Sequence, residues 1–206
     1  MPDGVIGDSP DIVVYQSEAT VKPAINTSGS VDDWRASVGA LARGNTRVMF
    51  AISTAFAGAL LELSGMHGGG FHLIGNSSTG KTTALLAACS VWGNPAEYMM
   101  TWWATDNGVE GRAALHNDGF FCLYEISEAS PETIREMIYM LANGNGKTRA
   151  DQTGRASRSV HWRLLFLSCG ETSPHRPSCR ASVRKRMSGT KYELSRDELV
   201  KQFKRY

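Results

Sequence analysis

The sequence predicts an α/β fold in which a largely parallel central sheet is flanked by helices, and three observations carry that expectation. A short apolar run, Phe71-His-Leu-Ile74, leads directly into Gly75-Asn-Ser-Ser-Thr-Gly-Lys-Thr82, which satisfies G-x-x-x-x-G-K-[ST]. Two further apolar runs, residues 119–125 and 162–168, each end in a polar residue, as buried strands do where they deliver a side chain to a ligand. Helical periodicity fills the stretches between them. Strands alternating with helices make a parallel sheet whose ligands sit at the carboxyl ends of the strands.

Taken in order, residues 1–30 hold one strand signal, Ile12-Val-Val-Tyr15, then Pro23 and the turn-rich Asn26-Thr-Ser-Gly-Ser30, which predict an edge strand and connector. Asp32 or Asp33 is the expected cap of a helix through Trp34, Val38 and Leu41. Asn45 or Thr46 caps a second, from Val48 to Leu63, stopped by Gly65. After the glycine-bounded loop, residues 82–92 read as a helix: Ala84, Leu85, Leu86, Ala88 and Val91 recur at helical spacing, with no Gly or Pro before Gly93. Residues 97–103 predict a second strand and 113–115 part of a helix. Ser130 caps and Pro131 opens another helix with Ile134, Met137, Ile138 and Leu141 on one face, broken by Asn143-Gly-Asn-Gly-Lys147. The core is expected over residues 31–171, with a tail at 172–206.

Strand, loop and helix together are the context a phosphate-binding loop needs. Gly75 and Gly80 let the backbone curl, so that successive N–H groups of Asn76, Ser77, Ser78 and Thr79 point inward, and the helix start adds its positive dipole end. Lys81 then reaches the β- and γ-phosphates of a nucleotide, Thr82 supplies a hydroxyl for Mg²⁺, and Thr83 follows in the first turn. A serine-rich turn before an ordinary helix accounts for the composition but not for the flanking strand and helix.

Bulk properties exclude several classes. The chain has 206 residues, 42% hydrophobic and 20% charged, as in an ordinary globular protein of one domain. From Thr172 onward, ten basic residues face three acidic ones, so a mildly acidic body carries a basic tail, suited either to nucleic acid phosphates or simply to solvent. Cys89, Cys122, Cys169 and Cys179 stand far apart without a C-x-x-C pair, which argues against structural zinc. The first ten residues lack a signal-peptide core, and the longest membrane-span candidate, residues 48–63, is interrupted by small and polar residues, so a cytoplasmic setting without membrane contact is expected.

A set of short segments is specific in combination: Gly75 through Thr83, Ser90-Val-Trp-Gly93, Trp103-Ala-Thr-Asp-Asn-Gly-Val-Glu110, His116-Asn-Asp118, Tyr139 through Lys147 with Arg149, and Trp162-Arg163 through Leu167-Ser168 to Gly170-Glu171. Through them, roughly residues 30–171 resemble the domain-of-unknown-function 927 family, P-loop ATPases of bacteria, phages and mobile elements often described as helicases. The resemblance implies a RecA/AAA-like core that uses ATP and Mg²⁺, assembles as a homo-oligomeric ring and is coupled to single-stranded DNA. It departs from the family in two places. The family pattern at the strand ending at 125 is Asp-Glu, with the aspartate holding Mg²⁺ through water; here the pair is Tyr124-Glu125, so Glu125 keeps a water-orienting and metal-side role without its neighbour. The likeness also fades after Glu171, where the tail is a divergent end, a truncation or a reading-frame lesion.

Other candidates follow, each with a plainer alternative. Arg149 and Arg163, then Arg155 and Arg158, are candidates for a finger reaching a neighbouring subunit's γ-phosphate, or for surface ion pairs. Lys147, Arg155 and Arg158 lie in a glycine-containing basic stretch that suits backbone tracking of a nucleic acid strand, or a solvated loop. Asn107 and Glu110 open a helix as nucleotide-facing residues or through capping, and Ser168 stands where a γ-phosphate sensor or a turn former is found. Three functions are open: a DNA-coupled ATPase motor, an ATP-binding regulatory or assembly module with weak or no hydrolysis, and a small-molecule kinase, for which no acceptor motif is visible.

Overall fold

Four parallel strands in the order β1-β4-β3-β2 form the sheet of the computed structural model, which describes residues 24–102, 106–126, 130–146 and 160–171. The expected strand at residues 12–15, the tail at 172–206 with Cys179, and Lys147, Arg149, Arg155 and Arg158 lie outside the described residues.

Helix α1 (residues 31–42) runs through a π-helical centre, Arg35–Gly39, between two α-helical pieces. Its cap is Ser30, whose hydroxyl accepts the Asp33 N–H at 3.1 Å, and not Asp32 or Asp33; both acids fall in the first turn, where they complement the helix dipole. The Trp34 indole donates to Ser90 Oγ at 2.9 Å and ties α1 to the far side of the nucleotide loop helix. Helix α2 (Thr46–Gly58) is capped by Asn45, as expected, through the Val48 N–H, and α3 (Leu61–Ser64) ends in the left-handed Gly65.

Strand β1 (Gly69–Ile74) leads into the loop, and α4 (Lys81–Cys89) follows it, starting one residue earlier and ending three earlier than the periodicity suggested. The expected strand at 97–103 is largely replaced by α5 (Pro95–Tyr98), leaving β2 only Met100–Thr101. The reason is local: the Asn94 side chain accepts the Ala96 N–H, and Pro95 occupies the first helical position, so a capped turn outweighs the strand propensity of the aromatic run. Helix α6 (Asp106–Leu115), β3 (Gly119–Tyr124), α7 (Pro131–Asn143, capped by Ser130 and closed by left-handed Gly144) and β4 (Leu164–Gly170) complete the described order.

The central strands are buried on both sides, which is why β3 and β4 read as continuous apolar runs. On one face Phe120, Cys122, Leu167 and Cys169 pack against the small side chains of α2 and α4, chiefly Ala51, Ala55, Ala84 and Ala88. On the other, Phe121, Leu123, Leu164 and Phe166 meet α6 and α7 through Val109, Ala113, Met137 and Leu141. The three described cysteines are free and buried.

A polar cluster is buried in this packing. His116 and Tyr98 converge on the Phe120 carbonyl, with His116 Nδ1 at 3.0 Å and the Tyr98 hydroxyl at 2.5 Å, and their rings meet edge to face. The carbonyl's two lone pairs accept both donors, which places the proton of a neutral imidazole on Nδ1. Burial first, then the Arg112 charge, lowers the His116 pKa to about 4, while the bond to Phe120 opposes the shift. Lowering the pH from about 6.5 to about 4 therefore protonates this histidine in the unfolded chain and not in the folded one. Stability falls through that window by up to about 3 kcal/mol, then levels off below the folded value. Urea unfolding at about pH 7.5 and about pH 4.5 should show this loss, and His116→Gln should reduce it.

Candidate nucleotide site

The loop at residues 75–80 is held from both ends. Its first amide, Gly75 N–H, donates to the Gly170 carbonyl at 3.2 Å, extending the β1–β4 ladder by one bond past Ile74. Within it Ser78 (φ +63°) and Gly80 (φ +81°) take left-handed backbone conformations, and Gly80 enters α4 with no side-chain cap. Alternating left- and right-handed residues turn successive N–H groups into one concavity, and the uncapped helix start leaves its first amides directed at the same space. Uncapped helix starts of this kind are, in general, where phosphate and other anions bind. Thr79 Oγ1 donates to the Asn76 carbonyl at 2.9 Å and braces the bend from inside.

Lys81 lies folded across the loop, its ammonium donating to Gly75 O at 2.8 Å and Asn76 O at 2.7 Å. Thr82 is exposed beside it, while Thr83 is turned into the core. Asn76 and Ser77 are exposed on the loop's outer rim.

Two strand ends border the loop. Glu125, directly after β3, is exposed and left-handed (φ +58°), a conformation that a non-glycine residue adopts at a cost of about 1 to 2 kcal/mol. Tyr124 is half-buried and packs on the α4 side of the core. Cys169 faces the same region. Burial raises its pKa to about 11, Cys122 and Glu125 add to the shift, and Lys81 and the Glu125 N–H oppose it, so the thiol stays protonated and is no nucleophile.

Other expected residues fall elsewhere. Ser168 is buried, with its hydroxyl 2.7 Å from His72 Nδ1, and strand alternation puts it on the α6 and α7 face, opposite α4. Glu110 is buried against Gly146, where an added methyl would lie 2.2 Å from its carboxylate oxygen. Asn107 lies in the first turn of α6. Arg163 lies just before the amino-terminal end of β4, about 23 Å along the strand from Gly170 at a rise of roughly 3.3 Å per residue. Its Nε donates to Asp118 Oδ1 at 2.6 Å, its guanidinium also pairs with Glu62, and its N–H donates to Asn117 Oδ1 at 2.8 Å. Sequence reasoning missed His72, whereas Cys169 is the buried thiol that its apolar run suggests. The available signal for the first was a polar residue at an inward position of the strand leading into the loop.

The chain matches the family model described as "Domain of unknown function (DUF927)" over residues 1–162. It belongs to that family. The DUF927 match takes in the first 30 residues as well as the loop, the end of β3 and α7, and stops before β4. A solved structure titled "SCCmec type IV Cch - active helicase" is similar at 28% identity and a TM-score of 0.56, covering 77% of this chain and 31% of that one. The DUF927 chain thus spans about a third of the length of that helicase. No curated protein matches. The parallel sheet with helices on both faces and a phosphate-type loop after β1 is the RecA/AAA-like arrangement that the sequence led one to expect. Among the described residues no helix is long and apolar enough to cross a membrane.

The left-handed backbone at Glu125 yields a direct test. Glu125→Gly should be more stable than Glu125→Ala by about 1 kcal/mol, because both lose the carboxylate and only glycine relieves the conformation. Thermal unfolding of the two variants side by side checks it.

Proposed function

We propose that this chain is the nucleotide-binding core of an ATP-dependent motor that acts on DNA, of helicase or translocase type, in mobile-element or phage replication. The observation that carries the proposal is the loop itself: left-handed Ser78 and Gly80, an uncapped α4, and Lys81 within reach of whatever the loop amides hold. Similarity to a structure titled as an active helicase supports the DNA-directed part.

In this reading the amides of residues 75–80 cradle the phosphates, and Lys81 exchanges its two loop carbonyls for β- and γ-phosphate oxygens. Thr82 Oγ1 would help hold Mg²⁺, and Glu125, from its exposed, left-handed station, would orient the attacking water. The Mg²⁺–ATP complex supplies the phosphoanhydride bond and neutralises charge on the transferred group. Lys147, Arg155 and Arg158 contact the DNA backbone, Arg149 is the finger offered to a neighbouring subunit in a ring, and Asn107 senses the γ-phosphate. Arg163, engaged with Glu62 and Asp118, suits a brace between α3, β3 and β4 better than a finger.

A second reading, an ATP-binding regulatory or assembly module with little hydrolysis, is favoured by one observation. Tyr124 packs half-buried against the α4 side of the core, where the family places an aspartate. The two readings part in one experiment. Turnover of Mg–ATP, stimulated by single-stranded DNA and reduced by about a hundredfold or more in Lys81→Ala, is the outcome expected of the motor. Tyr124→Asp should raise turnover further by restoring a metal-side carboxylate. Binding of Mg–ATP with no turnover in either the native chain or Tyr124→Asp selects the module, and no binding of Mg–ATP by folded protein removes both.

A further inference from the structure

His72 is a polar residue in a place where the neighbouring positions are apolar. It stands three residues before Gly75, and in the β1–β4 register it is opposite Ser168. Strand alternation puts both side chains on the face that also carries Phe121, Leu123 and Phe166. Imidazole Nδ1 and the Ser168 hydroxyl are 2.7 Å apart, and Ser168 is only 1% exposed. Two apolar side chains of similar shape would fill this space at nearly no cost in stability, so a half-buried His72 on a buried Ser168 calls for an explanation beyond packing.

The explanation lies two residues further along β4. A methyl group built on Gly170 would sit 3.3 Å and 3.4 Å from the His72 ring atoms Cε1 and Nε2, and 2.2 Å from Ile126 Cγ2. The imidazole and Ile126, the residue following Glu125, therefore both line the space beside Gly170 that a side chain there would need. Gly170 in turn is the residue whose carbonyl accepts the first amide of the phosphate loop. One ring thus contacts the strand that ends in the loop, the strand that anchors it and, through Gly170, the strand end that carries Glu125.

We propose that His72 is a positioning residue of the nucleotide site: by holding the Ser168 hydroxyl and bracing Gly170, it fixes the height of the phosphate loop relative to the carboxyl ends of β3 and β4. It touches neither nucleotide nor metal, and it acts through Gly170 and Gly75. The inference rests on the loop being a nucleotide site and names the device that sets its geometry.

The test is calorimetric binding of Mg–ATP to the full chain and to His72→Ala, His72→Asn, His72→Leu, Ser168→Ala and the double variant H72A/S168A, with thermal unfolding recorded for each. Lys81→Ala is included as the control for the site itself. His72→Ala and His72→Leu should each weaken Mg–ATP by about tenfold, Leu despite refilling the space, because the bond to Ser168 is gone. His72→Asn, whose amide nitrogen reaches the position of Nδ1, should recover most of that loss. The double variant should bind no more weakly than His72→Ala, as expected when one residue acts through the other. Affinity in His72→Leu within twofold of the native chain, or affinity that simply follows the melting temperature across the series, overturns the inference while leaving the nucleotide site in place if Lys81→Ala still abolishes binding. A native chain that binds no Mg–ATP overturns the site and this inference together.

Discussion

The register between β1 and β4 is the constraint on which the rest of the site depends. It sets His72 opposite Ser168 and Ile74 opposite Gly170, and the next bond in the ladder is already part of the loop, from Gly75 N–H to Gly170 O. A slip of β1 by one residue would turn His72 to the α4 face, away from Ser168, and break the Gly75 anchor together, since side chains alternate with a period of two. Lys81 holds the same residue from its other side, through Gly75 O. The loop is thus fixed at the sheet by one backbone bond and at the helix by one ammonium. Between those points, the left-handed residues Ser78 and Gly80 leave its amides pointing into open space.

Much of this was legible in the sequence, because the features that position the loop are local. A motif with glycines at its two ends, an apolar run before it and helical spacing after it located β1, the loop and α4 to within a few residues. Ser130-Pro131 opened α7 and Asn45 capped α2 for the same reason. Local signals also account for the miss at residues 97–103: Asn94 and Pro95 are as clear a helix start as Ser130 and Pro131, and the aromatic run drew attention away from them. What could not be read were pairings across the chain. His72 meets Ser168 at a separation of 96 residues, Arg163 meets Asp118 at 45, and Trp34 meets Ser90 at 56. No pattern within one segment encodes those contacts, because they follow from the strand order β1-β4-β3-β2.

The two ends of the sheet divide the labour. Around the amino-terminal end of β4, Arg163 engages Glu62 and Asp118 while the backbone of residue 118 donates to the Arg163 carbonyl, so charge there closes on itself and knits α3, the turn before β3 and β4 into one unit. At the carboxyl end, by contrast, exposed groups such as Thr82 and Glu125 border a loop that presents donors. Strain collects there as well, with left-handed backbone at both Ser78 and Glu125, the pattern expected where a fold gives up local comfort to orient groups toward a ligand. The DUF927 family match runs over both ends, covering the brace partners Glu62 and Asp118 together with the loop.

Tyr124 bears on how far such a site performs chemistry. A magnesium ion at a phosphate loop keeps most of its shell as water and phosphate oxygen and takes few ligands from the protein. In the proposed site an aspartate at this strand position would act on that shell through a water molecule, so its replacement by Tyr124 would weaken the orientation of one water and would leave the Thr82 hydroxyl and the loop amides in place. The effect on binding would then be small and the effect on turnover graded. Glu125, one residue on and held in its unusual backbone conformation, still projects to the solvent side of the same strand end. The proposed motor and the proposed module would then be two operating points of one geometry, separated by how well a single water is held and not by different folds or different ligands.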